Sequence, residues 1–445
     1  MFGQTAMLAA RQSQISGALL GSLSPYSPQG WQSTTPFHMD DTAKVQTCDG
    51  SSATFGGTVR FTLPKNSTLI GDPIFKVSVS AAVLAADRSA AYVNGLGDQL
   101  VETVTLRYGS SILQVVPHSI WTPMWRRLTR NDAHVEPVHA MVLAGLPVQG
   151  DTEAMRESAV TDGLDLYVPL DELYFAKSKS QYWFPESLSL EGEIILKLAP
   201  LGSLVYSDNG DDPFAGATYP ALSGAELHFH EVTISSAEKE NRLRQFATEQ
   251  GVVTLFKDIE TQLSQNLGVG GDTGLDRVVR VDLDNIRLDI ATIVFVVRVA
   301  TNSTGGVTPA VNAPWRGDPF ESNTENSIIT GGDIACAKPI TSFALEANGK
   351  RIYNEMTDFE NRAVTRRRYF ADAQVFDPYY FISFSNFPQD ANNSTGHISA
   401  SILGRLQLVI TLPDWAATQT LQCDVLCHSY NILQARSGAI VKALN

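Results

Sequence analysis

Alternation with a period of two residues constrains this chain more than any other feature. Val59, Phe61 and Leu63 are apolar while Thr58, Arg60 and Thr62 are polar, the pattern of a strand with one face in a core and the other in water. Phe75, Val77, Val79 and Ala81 repeat it against Lys76, Ser78 and Ser80. Strand-like runs follow at Thr103–Tyr108, Asp165–Val168, Gly192–Leu198 and Ala225–Ile234, separated by clusters of Gly, Pro, Asn and Asp.

The alternation resumes in the second half. Val279, Val281 and Leu283 stand against Arg280, Asp282 and Asp284, after which Ile286, Leu288 and Ile290 carry the opposite phase. That change predicts a bulge or corner near Asn285. Leu406, Leu408, Ile410 and Leu412 then alternate with Arg405, Gln407 and Thr411. Between the halves the period changes: Ser235-Ser236-Ala237-Glu238 has capping-box spacing and precedes a helix-favouring stretch that stops at Gly251. The chain reads as all-β, with an N-terminal arm at 1–45, a β-domain at 46–235, a linking helix at 236–251 and a second β-domain at 252–445. The like character of the halves suggests a duplicated sandwich, although no residue-level repeat stands out.

Composition agrees. A chain of 445 residues exceeds the size at which one core stops growing. Only 18% of residues are charged, with 33 Gly and 21 Pro, which suits short strands and turns. The arm carries only Arg11, Asp40, Asp41 and Lys44 as charges and is interrupted by Pro25, Pro28 and Pro36. It reads as a segment ordered by neighbours, with Leu8, Ile15 and Leu19 lining one side of a short helix or of a frayed end.

A net charge of −14 disfavours nucleic-acid binding, which depends on Lys and Arg. Four cysteines are too few to staple the chain, and Cys423 and Cys427 in a strand lie roughly 13 Å apart; a reduced site of folding is expected. The N-terminus lacks the basic region of a secretory signal. The longest apolar run, Ile290–Val297, is far short of the ~20 residues of a membrane-spanning helix.

Signatures of catalysis are missing: there is no Gly-x-Ser-x-Gly elbow, His-Glu-x-x-His, phosphate loop or Cys-x-x-Cys. Gly268–Gly274 reads as a loop. His228 and His230 share a strand face with Glu231 next, and Cys427 adjoins His428, but neither set has an identified third metal ligand. No cofactor is expected. Arg366, Arg367 and Arg368, and the cluster at Trp125-Arg126-Arg127, read as intersubunit salt-bridge donors or solvated edges before they read as a nucleic-acid patch. Asn66, Asn302, Asn392 and Asn393 each open an Asn-x-Ser/Thr triplet, a glycosylation acceptor where an enzyme reaches it.

Several segments resemble, in order, the double jelly-roll major capsid proteins of nucleocytoplasmic large DNA viruses. Val59-Arg60-Phe61-Thr62-Leu63-Pro64 resembles an early family strand, as does the stretch from Val104 to Ile112. Gln181-Tyr182-Trp183-Phe184-Pro185 is similar to the family's aromatic strand, although Leu190–Leu196 departs from the run that usually follows. The stretch from Ile234 to Ala247 resembles the link between barrels. The fullest likeness runs from Phe343 to Leu408 and includes Leu345-Glu-Ala-Asn-Gly-Lys-Arg351, Tyr369-Phe370 and Tyr380-Phe381-Ile382-Ser383-Phe384.

The resemblance implies two consecutive eight-stranded jelly rolls and a non-enzymatic subunit. It further implies homotrimeric capsomers of hexagonal outline that tile an icosahedral shell and meet neighbouring capsomers, minor capsid proteins and an internal viral membrane. The location implied is the virion capsid, after folding inside the host cell. Trp121, Trp125 and Trp315, with the three arginines, are the candidate interface residues. The alternatives are a minor capsid or penton protein of the same viruses and a jelly-roll carbohydrate-binding or glycoside-processing protein working through Glu186, Glu191 and Glu193.

Overall fold

The computed structural model describes residues 40–47, 53–65, 69–93, 95–129, 153–176, 182–207, 212–233, 239–240, 243–244, 252–269, 276–299, 340–370, 379–389, 395–413 and 420–442. The first half contains β1 (Asp40–Thr47), β2 (Thr58–Thr62), β3 (Leu69–Val79), β4 (Ala90–Tyr92), α1 (Leu96–Leu100), β5 (Val101–Tyr108) and β6 (Ser111–Val116). It continues with α2 (His118–Thr129), α3 (Glu153–Asp162), β7 (Leu164–Pro169), β8 (Gly192–Leu198), β9 (Val205–Ser207) and β10 (Leu222–Thr233).

The second half contains β11 (Val252–Val269), β12 (Arg277–Asp282), β13 (Asp289–Val299), β14 (Ser342–Ala347) and β15 (Lys350–Thr357). Next come α4 (358–369), which is π-wound over Glu360–Thr365, and β16 (Tyr379–Ser383). β17 (Ile398–Ser399), α5 (Ala400–Leu403), β18 (Leu406–Leu412), β19 (Thr420–Arg436) and β20 (Ala439–Lys442) complete it.

Two sheets of order β1-β10-β3-β7 and β2-β8-β5-β6 make the first half, and β11-β19-β13-β16 with β12-β18-β14-β15 make the second. With the short β4, β9, β17 and β20 set aside, both halves place their eight strands in the same order, first-eighth-third-sixth against second-seventh-fourth-fifth. All these pairings are antiparallel. This is the jelly roll, twice. The phase change near Asn285 is the corner at which the chain leaves β12 in one sheet and enters β13 in the other.

Each sandwich is filled by its alternating residues. In the first, Phe61 and Phe75 meet edge to face across the two sheets, centroids 6.0 Å apart, among Val77, Leu106, Ile194 and Leu196, all fully buried. In the second, Phe295 stacks on Tyr380 at 5.2 Å and meets Phe343 edge-on at 5.0 Å. Cys423 and Cys427 are buried free thiols in this core.

Two corrections to the sequence reading arise here. β1 begins at Asp40 and pairs with β10 through Asp40↔Thr233, so the end of the segment read as an arm is sheet; residues 1–39 lie outside the described residues. Helices also occur beyond the link, where residues 239–240 and 243–244 are helical. Local propensity does not announce α2, since Trp, Thr and Pro are weak helix formers, yet its buried residues His118, Trp121, Thr122, Met124 and Leu128 fall on helical spacing.

Candidate functional site at the seam between the barrels

The run Ile290–Val297 explains how the barrels join. Ile293, Phe295 and Val297 point into the second core, while Val294 and Val296 belong to the core that includes the first barrel. A strand covered on both faces loses its alternation and becomes uniformly apolar. β16 does the same: Tyr380 and Ile382 face inward, Tyr379 and Phe381 face the seam. The outer face of the sheet β11-β19-β13-β16 is therefore an internal surface.

The first barrel covers it with α2 and the segment after β7. Trp121, 1% exposed, stacks on Trp125 at 5.1 Å, and both rings sit on His428 of β19, at 4.2 and 4.6 Å. Trp125 also meets Phe370 edge-on at 5.9 Å, and Tyr174 meets Phe256 at 6.0 Å. At the rim the Tyr108 hydroxyl donates to the carbonyl of Gly438 (2.5 Å) and accepts from the Leu190 N–H (3.0 Å). The Ser189 N–H donates to the same Gly438 carbonyl at 2.7 Å. A Cβ on Gly438, whose φ is +79°, would collide with Ser189, so the hairpin between β19 and β20 requires glycine there.

Beneath α2 lies a buried ionic knot. His118 is fully buried; its Nδ1 is 3.0 Å from Glu172 and its Nε2 3.5 Å from Asp98. The Thr122 hydroxyl donates to Glu172 at 2.5 Å. Burial alone would depress the imidazole, but the carboxylates of Glu172 and Asp98 outweigh it and raise His118 to about 9. The knot is sealed from solvent, so its work is to fix α2 against α1 and the β7 exit. A second buried pair, Arg298 on β13 with Asp424 on β19 at 2.5 Å, ties the central strands of the covered sheet.

The predicted interface residues divide. Trp121 and Arg366 are each 1% exposed, and Arg366 donates from Nε to the Leu128 carbonyl at 3.5 Å. Both therefore join the barrels of one chain, which corrects their reading as contacts to another. Trp125 is half-buried in the same seam. Arg367 and Arg368 are exposed on α4, Arg368 lying 5.7 Å from the Tyr369 ring. Trp315 and all four triplet asparagines lie outside the described residues.

Glu186 pairs with Lys239 at 2.7 Å, Glu193 lies 3.8 Å from Arg107, and Glu191 is exposed. His228 pairs with Glu226 at 3.0 Å, and among the described residues no three His, Cys, Asp or Glu side chains gather as a metal site. No described helix is long and apolar enough to cross a membrane.

Residues 32–188 match the family model described as the major capsid protein N-terminus. In fold the chain resembles VP54 of PBCV-1, with a TM-score of 0.66 and 15% identity over 93% of this chain and 98% of that one. It resembles the Faustovirus major capsid protein with a TM-score of 0.64 and 9% identity, over 91% and 92%. A Sputnik virophage chain follows at 0.55 and 9%, over 93% and 90%. No curated protein matches the sequence.

Proposed function

We infer that the chain is a structural protein of a viral capsid, residues 32–188 matching the major capsid protein N-terminus and its two barrels folded as the double jelly roll of such proteins. The finer reading is the major capsid protein of a large DNA virus, assembled as a homotrimer. One observation carries it: two barrels of identical strand order share a core across a sealed seam. Such a subunit is a rigid block with two like lobes, and three copies about an axis present six barrels, a near-hexagonal tile.

Seam aromatics and buried ion pairs hold the lobes in fixed relation, as a shell wall requires, and no chemistry or cofactor enters the reading. Further partners are neighbouring capsomers, minor capsid proteins and an internal membrane. Light scattering tests the reading: a mass of three times 48.3 kDa is expected, and a monomer at every concentration and salt condition would sink it. Glycan hydrolysis lost on Glu191→Gln or Glu193→Gln would instead establish the enzymatic alternative.

A further inference from the structure

The barrels repeat more than their strand order. In each, a hairpin turns on a glycine of positive φ, Gly109 (+56°) between β5 and β6 and Gly349 (+76°) between β14 and β15. In each, a twelve-residue helix follows, α2 in the first barrel and α4 in the second. Gly349, Ile352 and Arg367 each stand 240 residues after Gly109, Ile112 and Arg127. The two helices are equivalent parts of equivalent lobes.

Their surroundings differ. α2 is sandwiched, one side on its own barrel and Trp121 on the outer sheet face of the second, over His428. α4 is fastened to its own barrel and to α2 but open to solvent beyond them: Asn361, fully buried, donates to the Phe381 carbonyl at 2.8 Å and accepts from its N–H at 3.2 Å, and Arg366 donates to the Leu128 carbonyl. Its other side carries Phe359 at 70% exposure, Val364 at 61%, and the exposed Arg367 and Arg368. Two large apolar residues bare on one helix offer a contact surface.

The first barrel has the matching half. The outer face of β10-β3-β7 is the counterpart of the face that α2 covers, and it too has a histidine on its eighth strand. His228, with 30% of its side chain exposed, meets the Tyr167 ring at 6.0 Å and Glu226 at 3.0 Å. Asp165 lies exposed on the same face. Glu226 on that face is paired with Lys76 at 3.2 Å, so Asp165, with the aromatic–histidine pair, is what complements a helix bearing Phe and Arg.

We propose that α4 of one chain docks on the outer β10-β3-β7 face of a second copy, Phe359 over Tyr167 and His228, repeating between chains the contact that α2 makes within one. This rests on the trimer reading and makes it specific. The contact is head-to-tail, and such a contact closes into a ring when its rotation divides the circle.

The test replaces Phe359 with the photo-cross-linker benzoylphenylalanine in the full chain, with light scattering on the same sample. Expected are adducts of two chain masses whose cross-linked peptides contain Tyr167 or His228. Phe359→Asp combined with Val364→Asp should weaken assembly by at least about 30-fold and leave the subunit's circular dichroism unchanged. A trimer whose adducts fall within one chain, in residues 1–39 or on the second barrel overturns this proposal alone. A particle that never exceeds one chain mass overturns the trimer reading with it.

Discussion

The third strands of the two barrels, β3 and β13, occupy the same place in the same topology and read nothing alike. β3 alternates, Phe75 and Val77 inward and Lys76 and Ser78 outward, each outward residue half-exposed. β13 is buried on both faces from Ile290 to Arg298. Topology is therefore indifferent to the outer face, and what covers that face writes the sequence. Where alternation fails inside an all-β chain, an internal seam is the physical reason to look for.

The largest expected effect comes from charging the covered face. Val296→Asp puts a carboxylate without a partner into the seam and should cost more than about 4 kcal/mol, whereas Ser78→Lys, which sets a cation opposite Asp165 on the open face, should stay within about 0.5 kcal/mol. Chemical denaturation of both variants measures the contrast. Equal costs would mean that the seam is not closed in solution. Trp121→Ala removes the ring that lies on His428 and should cost about 3–5 kcal/mol, read from the same titration.

His118 gives the seam a dependence on pH. Its folded pKa of about 9 lies above the ordinary value near 6.5. The stability it contributes is complete below about pH 6.5 and falls as pH rises through 9, at no more than about 1.4 kcal/mol per pH unit. Thermal melts between pH 6 and 10 should show this slope, and His118→Gln should remove it. A melting temperature that rises over this window contradicts the assignment of charge to the knot.

The strands were legible because a sandwich imposes period two on every residue facing water. The corner near Asn285 was legible as a change of phase. Ile290–Val297 was visible but measured only against a membrane, since its cause is a partner surface 170 residues earlier in the chain. Nothing in the spacing of Trp121 and Arg366 says whether the surface they meet belongs to the same chain or to another. The repeat escaped because the connections within each half differ in length, so the spacing of 240 holds only from the hairpin glycines through the helices that follow.

The smallest effect sharpens the comparison most. Each barrel joins its third and eighth strands by an outward ion pair, Lys76–Glu226 at 3.2 Å in the first and Arg298–Asp424 at 2.5 Å in the second. The first pair is 25% and 30% exposed, the second 6% and 0%. Asp424→Ala leaves the buried Arg298 guanidinium without its counter-charge and should cost about 3–5 kcal/mol. Glu226→Ala leaves Lys76 free to reach water and should cost the isolated subunit less than about 1 kcal/mol. If a second copy lies over that face as proposed, it deprives Lys76 of water, and the same substitution should weaken assembly beyond its effect on the subunit. Denaturation of the monomeric Phe359→Asp, Val364→Asp background gives the first number, and dilution of particles carrying Glu226→Ala alone gives the second. Equal values would leave the outer face of the first barrel open to solvent in the particle and end its likeness to the seam.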